Sequence, residues 1–450
     1  MTNRNDNILN GPITRAIFSL ALPVVLNMFM EFALASTDYF WVGKLGAMAQ
    51  DAVTSSMVVI WTMFATTAIV SVGVTALVSR YVGARDLDRV RFYLGQGIKA
   101  GLLLSFFFGA SGFIFTPAAL RFMDTGPETM IHAVPYLRIF FASAVFFFIN
   151  EICYSAFRAS GDTRTPAMVA ALVIVINMAL DPLLIFGWGP IPSMGVTGAS
   201  LATGIAISIG SMLILRRMFR GGLGYDVSGM LRNGIDLRSL VKIGKIGLPM
   251  SSQQFVFVIV YWFLIKIVHQ FGEVAAAAMG IGNRMESFSY LTCFGFSVAA
   301  STMVGQNLGA RQPDRAARSA WGAAGTAICI TFIIGGLFIV IPDWIASIFT
   351  DNPEVKKIAI DYLFILGISQ SAMAIEIVLE GAFGGAGDTI PPMVVSIPGA
   401  LMRIPMAYYF CFNLDWGING VWWTLTITSI IKALIMAGWF RLGRWKTKEL

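Results

Sequence analysis

The sequence is poor in charged residues. Lysine, arginine, aspartate and glutamate make up 13% of its 450 residues, where an ordinary soluble domain has roughly 25%. Hydrophobic residues make up 56%. This composition excludes an ordinary soluble domain and indicates an integral membrane protein.

Histidines and phosphate-binding loops are also scarce. The two histidines, His132 and His269, lie far apart, and neither begins the H-E-x-x-H motif of zinc proteases. No G-x-x-x-x-G-K loop occurs, which argues against ATP-driven pumping by this chain alone. We therefore expect no metal cofactor and no enzyme. A membrane-embedded enzyme stays as an alternative that would need an unrecognised nucleophile.

Cysteine is rare, and a cleavable signal is lacking. The chain has four cysteines, all inside apolar segments, where a small soft side chain packs well: Cys153, Cys293, Cys329 and Cys411. We expect free thiols rather than disulfides. The first thirteen residues are polar and the apolar run after them is too long for a typical signal peptide, so we expect the first span to stay in the mature protein.

Long apolar runs are abundant. A helix needs about 20 apolar residues to cross a hydrocarbon core of roughly 30 Å, and these runs far exceed the roughly ten residues of a barrel strand. We predict an all-α integral membrane protein with about twelve transmembrane helices. They fall near residues 14–41, 51–79, 92–117, 133–157, 167–188, 195–215, 243–268, 275–305, 318–345, 358–383, 391–413 and 417–440.

Positive charge is placed unevenly along the chain. The segment 80–91, RYVGARDLDRVR, follows the second predicted span, and basic residues also follow the fourth, sixth, eighth and twelfth spans. The odd-numbered loops hold few. Lysine and arginine accumulate on the cytoplasmic side of a membrane, so we predict a multi-pass protein of the cytoplasmic (plasma or inner) membrane with both termini cytoplasmic. The net charge of +7 then calls for no nucleic-acid partner.

The chain contains an internal repeat. At an offset of 226 residues, the GAR and DR residues of 83–89 recur at 309–315, Pro23 matches Pro249, and the GDT loop at 161–166 matches 387–392. We predict an N-terminal six-helix bundle (1–215), a cytoplasmic linker (216–242) and a C-terminal six-helix bundle (243–450). Halves with an even number of spans insert in the same orientation and are related by a pseudo-two-fold axis along the membrane normal, a plan that recurs in secondary transporters.

These paired loops, together with the LP pairs that contain Pro23 and Pro249, resemble the MATE (multidrug and toxic compound extrusion) family of transporters. The resemblance covers nearly the whole chain. STDYFWVG in the first span and VINMALDP in the fifth are similar to the DinF-like branch of that family. The resemblance implies a MATE fold of the MOP type and secondary active transport without a cofactor.

Carboxylates inside the first half form the main candidate site. An ionisable side chain at mid-bilayer costs at least roughly 2.5–3.5 kcal/mol, so it needs a reason to be there. Asp38 lies two helical turns after Glu31, and Asn177 lies four residues before Asp181, so each pair shares a helix face. By the resemblance, Asp38, Asn177 and Asp181 form the coupling site for H⁺ or Na⁺, and Thr203 completes it. Asp181, just before Pro182, is alternatively a polar residue near the membrane interface.

The second half holds further substrate-binding or ion-site candidates. Glu376 and Glu380 lie four residues apart on one helix face, while the seventh span carries Gln253 and Gln254 where an acid is expected for the NorM-type branch. That departure weakens the case for a main cation site in the second half. Our interpretation favours structural salt bridges from the two glutamates to Arg403 or Arg284, with substrate contact as the alternative.

The sequence thus predicts a monomeric exporter of amphipathic, cationic drugs or other xenobiotics in the lipid bilayer, driven by H⁺ or Na⁺ antiport. The alternative is a flippase for lipid-linked precursors. A flippase would need a basic cavity to hold a pyrophosphate, for which the possible members are Lys99, Lys266, Arg284 and Arg403. The carboxylates of the first and fifth spans favour the exporter.

Overall fold

The computed structural model of the chain describes residues 3–123 and 125–450, and within these ranges it contains α-helices and no β-strand. Ten helices are long and apolar enough to cross a membrane, or twelve spans result when each of two bent helix pairs is counted as one. The predicted all-α membrane fold is confirmed.

The helices follow the predicted spans closely. In chain order they are α1 (Asn3–Asn10), α2 (Ile13–Gly43), α3 (Ala47–Gly83), α4 (Leu87–Phe122), α5 (Pro127–Ala142), α6 (Ala144–Ala159), α7 (Arg164–Phe186), α8 (Val196–Arg217), α9 (Leu237–His269), α10 (Glu273–Gly309), α11 (Pro313–Val340), α12 (Pro342–Ser347), α13 (Pro353–Gly367), α14 (Gln370–Ala386), α15 (Ile390–Leu401), α16 (Arg403–Tyr408) and α17 (Asn419–Arg441). Short π-helical turns extend α8 and α16.

Two predicted spans are bent rather than straight. The fourth consists of α5 and α6 with a 50° bend, and the tenth consists of α13 and α14 with a 54° bend. Ser143 lies at the first break, where its hydroxyl donates to the carbonyl of Ile139, and Ser369, 226 residues later, donates to Leu366 at the second. A serine hydroxyl bonded to the preceding helical turn is a recognised cause of helix bending. The sequence repeat is therefore also a repeat of helix geometry.

The starts of α3 and α10 repeat in the same way. Gly46 and Gly272 precede these helices with φ angles of 109° and 90°, a region that side chains with a Cβ atom rarely adopt. Glycine at both positions is thus required by the turn that separates each helix from the one before it.

Contacts divide the chain into two compact units. The first consists mainly of Leu26–Ser251. In it, α7 packs on α8, and both α5 and α6 pack on α3 and α4. Its core is aromatic around the α5–α6 bend, where Phe140, Phe141 and Phe148 are buried. Large rings fill the wide gap that a bent helix leaves against its neighbours.

The second unit consists of Asn7–Val25 together with Ser252–Leu450. Its core is rich in alanine where α10, α11 and α14 meet, with Ala299, Ala320 and Ala382 fully buried. Small side chains let helices approach closely in a membrane, where packing rather than the hydrophobic effect drives association.

These units differ from the predicted boundaries of 1–215, 216–242 and 243–450. The start of α9 belongs to the first unit because Gly73 and Gly247 bring it into backbone contact with α3, and Ser251 donates to Ala65 O at 2.7 Å. The expected separate linker is also part of that unit, since Tyr225 and Met230 are buried in it.

Two helices are each divided between the units. The first part of α2, up to Val25, packs in the second unit, and the first part of α9, up to Ser251, packs in the first. Pro23 and Pro249 each lie two residues before these division points. A proline inside a helix removes one backbone hydrogen bond. The repeated prolines therefore weaken each helix close to the place where it changes unit.

Candidate coupling-ion site

Two aspartates meet within the first unit. Asp38 lies five residues before the end of α2, and Asp181 lies five residues before the end of α7. Their carboxyl groups interact directly with each other. Two ionised carboxylates in such a place repel each other, and a proton or a cation bound by the pair relieves that repulsion.

Asn177 and Thr203 extend the pair. The Asn177 amide nitrogen donates to Asp181 Oδ1 at 3.3 Å and lies 3.4 Å from Thr203 Oγ1. Thr203, on α8, donates its own hydrogen to Ala199 O one turn earlier, so its oxygen remains an acceptor. Helical spacing puts Asn177 next to Asp181, and the packing of α7 on α8 brings Thr203 to them.

Three oxygen atoms of the cluster have no hydrogen-bond partner. They are Asp38 Oδ1, Asn177 Oδ1 and Asp181 Oδ2, and each is buried. Within 6–57, 59–123 and 125–450, no lysine or arginine forms an ion pair with either aspartate. Buried polar atoms in proteins are normally bonded, so converging acceptors without donors suit a proton or a hard cation. All four predicted residues, Asp38, Asn177, Asp181 and Thr203, are brought together.

Tyr136 is a neighbour of this site that the sequence did not indicate. It lies on α5, is 7% exposed, and interacts electrostatically with both Asp38 and Asp181. The tyrosine was missed because it comes 41 residues before Asn177 on another helix, and no spacing rule connects the two.

Glu31 lies apart from the aspartates. The Asn27 amide donates to Glu31 Oε1 at 2.7 Å, and Glu31 interacts electrostatically with Glu151 and Arg158 on α6. The predicted shared face with Asp38 holds along α2, but Glu31 does not join the site that Asp38 forms with Asp181.

The second unit has its own charged cluster, with partners that differ from those expected. Glu376 forms its close ion pair with Lys432, at 2.5 Å. Arg403 interacts electrostatically with Glu376 and donates hydrogen bonds to the hydroxyls of Thr428 and Ser429, while Arg284 is exposed. The expected close ion pair with an arginine is thus formed with a lysine instead, because α17, which carries Lys432, packs on α14 in the folded unit.

The remaining second-unit candidates are spread out. Glu380 lies one turn after Glu376 on α14 and interacts with Glu376 and Lys432 electrostatically. Gln253 on α9 is buried with its amide nitrogen unbonded, whereas Gln254 is exposed. Glu286 accepts a hydrogen bond from the Tyr362 hydroxyl at 3.2 Å, a contact that the sequence did not indicate. The convergence of acceptors seen around Asp181 is not repeated by these candidates.

Comparison with known proteins agrees with this architecture. The sequence model of the MatE family matches residues 23–183 and 249–409. The probable multidrug resistance protein NorM of Thermotoga maritima is 26% identical over 449 residues, which cover 97% of this chain and 94% of that protein. The FAD transporter of Shewanella oneidensis is 23% identical over 433 residues, covering 95% of this chain and 94% of that protein.

A solved structure has the same fold. It is the outward-facing conformation of a multidrug resistance MATE family transporter of the MOP superfamily, with a TM-score of 0.92, 23% sequence identity and 100% of both chains covered. The family model matches both halves and most of the chain, and its two matches repeat at the 226-residue offset found in the sequence. The chain belongs to the MatE family, whose members are transporters and not enzymes.

Proposed function

We propose that the chain is a secondary active exporter that moves amphipathic, cationic drugs and other xenobiotics out of the cell in exchange for H⁺ or Na⁺. The observation that carries the proposal is the carboxyl pair of Asp38 and Asp181, with Asn177 and Thr203 beside it. A buried pair of this kind, with no basic partner described, gains most from binding one small cation.

The ion drives transport through its different affinity for two conformations of the protein. In the outward-facing conformation, Asp38 and Asp181 take up the external ion, and the neutralised pair changes the packing of α2 against α7. Drug release outside follows. Return to the inward-facing conformation delivers the ion to the cytoplasm as a new drug molecule binds. An ion that bound both conformations equally would move nothing.

The orientation is part of the proposal. Both termini and the loops after the even-numbered spans lie in the cytoplasm, and the chain spans the cytoplasmic membrane as a monomer. The uneven placement of lysine and arginine supports this orientation. The ends of α2 and α7 nearest Asp38 and Asp181 then lie toward the outside, where the driving ion enters.

The flippase alternative has less support. Three of its four possible basic residues, Lys99, Lys266 and Arg403, are engaged in contacts of their own. Lys99 binds the carbonyls of Asn233 and Gly234, Lys266 lies 3.6 Å from the centre of the Trp262 ring, and Arg284 is exposed. A pyrophosphate group is best held by several converging cations. The basic residues of this chain are better explained by local contacts.

The testing experiment is efflux from proteoliposomes under an imposed pH or Na⁺ gradient, with ethidium as the transported cation. We expect efflux under one of these gradients and its loss in Asp38→Asn and Asp181→Asn. Asp51→Asn is the matched control. Asp51 is in the same unit but accepts a hydrogen bond from Thr129 at 2.8 Å, apart from the site. Wild-type efflux in the two site variants would refute the proposal.

A second efflux experiment, with compounds of different charge, tests the substrate class. One relative is described as an FAD transporter, so FAD is measured beside ethidium as an anionic compound. Export of ethidium without FAD supports the cationic class. Export of FAD alone would refute that class and return attention to the basic residues of the second unit, Arg403 and Lys432.

A further inference from the structure

A second polar cluster lies inside the first unit, separate from the aspartate pair. Glu31 on α2 interacts electrostatically with Glu151 and Arg158 on α6, and Arg158 forms a short ion pair with Glu151. Arg158 also donates to Ser155 Oγ at 3.2 Å. Two carboxylates therefore face one guanidinium, so the cluster has one carboxylate more than its cation neutralises.

Buried oxygen atoms around this cluster lack partners. They are Asn27 Oδ1 and Asn150 Oδ1, on residues that are each 8% exposed. Tyr154 lies beside Asn150 and interacts with Glu31, Glu151 and Arg158. Buried polar atoms without a protein partner commonly bind ordered water, and ordered water can carry a transferred proton.

Enclosure by the first unit differs between the two clusters. Asp181 and Asn177 are 0% and 1% exposed and Asp38 is half-buried, whereas Glu31 is exposed and the Glu151 side chain is 38% exposed. The aspartate site is thus largely enclosed by protein, while Glu31 and Glu151 reach the surface.

Along α2, Glu31 lies closer than Asp38 to the start of the helix. Seven residues separate the two, which is two turns or about 10 Å along the same helix face. Leu34 and Ala35 fill that face between them, and Ala35 is small and exposed. No polar side chain of α2 bridges this gap, so transfer across it needs water. Arg158 lies beyond, in the last turn of α6.

We propose that Glu31 is the inner station of a proton path: it accepts the proton released by the Asp38–Asp181 pair and passes it to cytoplasmic water beside Glu151 and Arg158. This inference rests on the proposed function, and it specifies H⁺ as the coupling ion. In the first step an O–H bond of the aspartate pair breaks, water carries the proton, and an O–H bond forms on the Glu31 carboxylate. In the second step the Glu31 O–H bond breaks and water receives the proton.

Arg158 and Glu151 have the supporting role. The ion pair holds Glu151 beside Arg158, and Asn27 fixes the Glu31 carboxyl by one donated hydrogen bond. Glu31 is then the carboxyl of the cluster without a full positive partner. It can therefore alternate between its charged and neutral forms while the Arg158–Glu151 pair stays intact.

The test measures proton movement and drug binding separately. Wild type and Glu31→Gln are placed in liposomes that contain a trapped pH dye, and the proton flux caused by adding ethidium is recorded. We expect Glu31→Gln to slow this flux about tenfold or more, because a positioned carboxyl has been removed. Its dissociation constant for ethidium should stay within about twofold of wild type. Glu31→Asp keeps a carboxyl, and it should recover much of the flux if Glu31→Gln is folded but uncoupled.

Each other outcome overturns the inference. Wild-type flux in Glu31→Gln removes Glu31 from the proton path. Binding weakened by the same factor as flux makes Glu31 a drug contact instead. Transport by wild type under a Na⁺ gradient alone excludes a proton path, yet leaves the proposed exporter in place. Unchanged transport in Asp181→Asn would refute the proposed function itself, and this result is independent of the Glu31 variants.

Discussion

Arg85 and Arg311 adopt the same left-handed backbone conformation, with φ angles of 60° and 58°, at equivalent places in the two halves. Each residue ends a helix with the same hydrogen bonds. Arg85 N donates to Val82 O and Asp86 N to Tyr81 O after α3, and the pattern repeats from Arg311 N to Leu308 O and Gln312 N to Asn307 O after α10. This is the Schellman motif, which usually has glycine at the left-handed position.

The arginines at these positions are expected to reduce stability. A left-handed residue with a Cβ atom costs about 1–2 kcal/mol, which glycine avoids. Arg311→Gly should therefore raise the free energy of unfolding by about 1 kcal/mol. Arg311→Ala loses the same side chain but keeps the strain, and it serves as the control. Thermal unfolding in detergent measures both, and equal melting temperatures would show that the backbone conformation is not the cause.

The contact of α9 with α3 can be tested by adding one methyl group. A Cβ atom at Gly247 would collide with the backbone carbonyl of Ile69, which cannot move aside easily. Gly247→Ala should therefore lower stability, because overpacking costs about 1–3 kcal/mol.

Gly244, three residues earlier on the same helix, supplies the matched control, since nothing lies within 4 Å of a Cβ atom there. Gly244→Ala should be neutral or stabilising by up to about 1 kcal/mol through helix propensity. If the two variants unfold at the same temperature in detergent, α9 does not pack on α3 as closely as described.

The effects of Lys432 and Glu376 on the free energy of unfolding should be strongly coupled. Their side chains are only 9% and 12% exposed. Lys432→Met alone leaves a carboxylate buried without its partner and should cost about 3–5 kcal/mol. The double change Lys432→Met, Glu376→Met should recover most of that loss, because an apolar pair can replace a buried ion pair. Additive losses in a double-mutant cycle would contradict the coupling.

The contribution of Arg315 to stability should depend on the shape of its side chain as well as on its charge. Its guanidinium donates to the carbonyls of Ile8 and Gly11, and these bonds fix the end of α1 and the start of α2 within the second unit. Arg315→Lys keeps the positive charge but loses the fork geometry. We expect lower stability, by about 1–3 kcal/mol, and faster proteolysis near Gly11. Wild-type proteolysis in Arg315→Lys would show that the fork geometry of the guanidinium is not needed.

Much of the fold was predictable because apolar length and charge placement are constraints that the membrane imposes locally. The bends at Ser143 and Ser369 were not predicted, since serine inside an apolar span is usually unremarkable in sequence. The division of α2 and α9 between the two units could not be predicted from the sequence either. It depends on close approaches such as Gly247 to Ile69, which involve partners nearly 180 residues away.

The candidate site was predictable to a similar degree. Asp38 and the pair Asn177 and Asp181 were found because a charge inside an apolar span stands out and helical spacing groups near neighbours. Tyr136 and Lys432 were missed because each reaches its carboxylates from another helix. A tyrosine carries no unusual signal in a span, and Lys432 lies in the last span without a carboxylate nearby in sequence.

The exchange of helix segments between the two units has a consequence for biosynthesis. The first unit lacks its α9 segment until the ribosome has made Ser251, and the second unit uses a segment, Asn7–Val25, that is among the first to emerge. At typical elongation rates that early segment waits on the order of tens of seconds for its packing partners. A chain cut between the two sequence repeats leaves both products with an exposed surface that only the other fragment can cover.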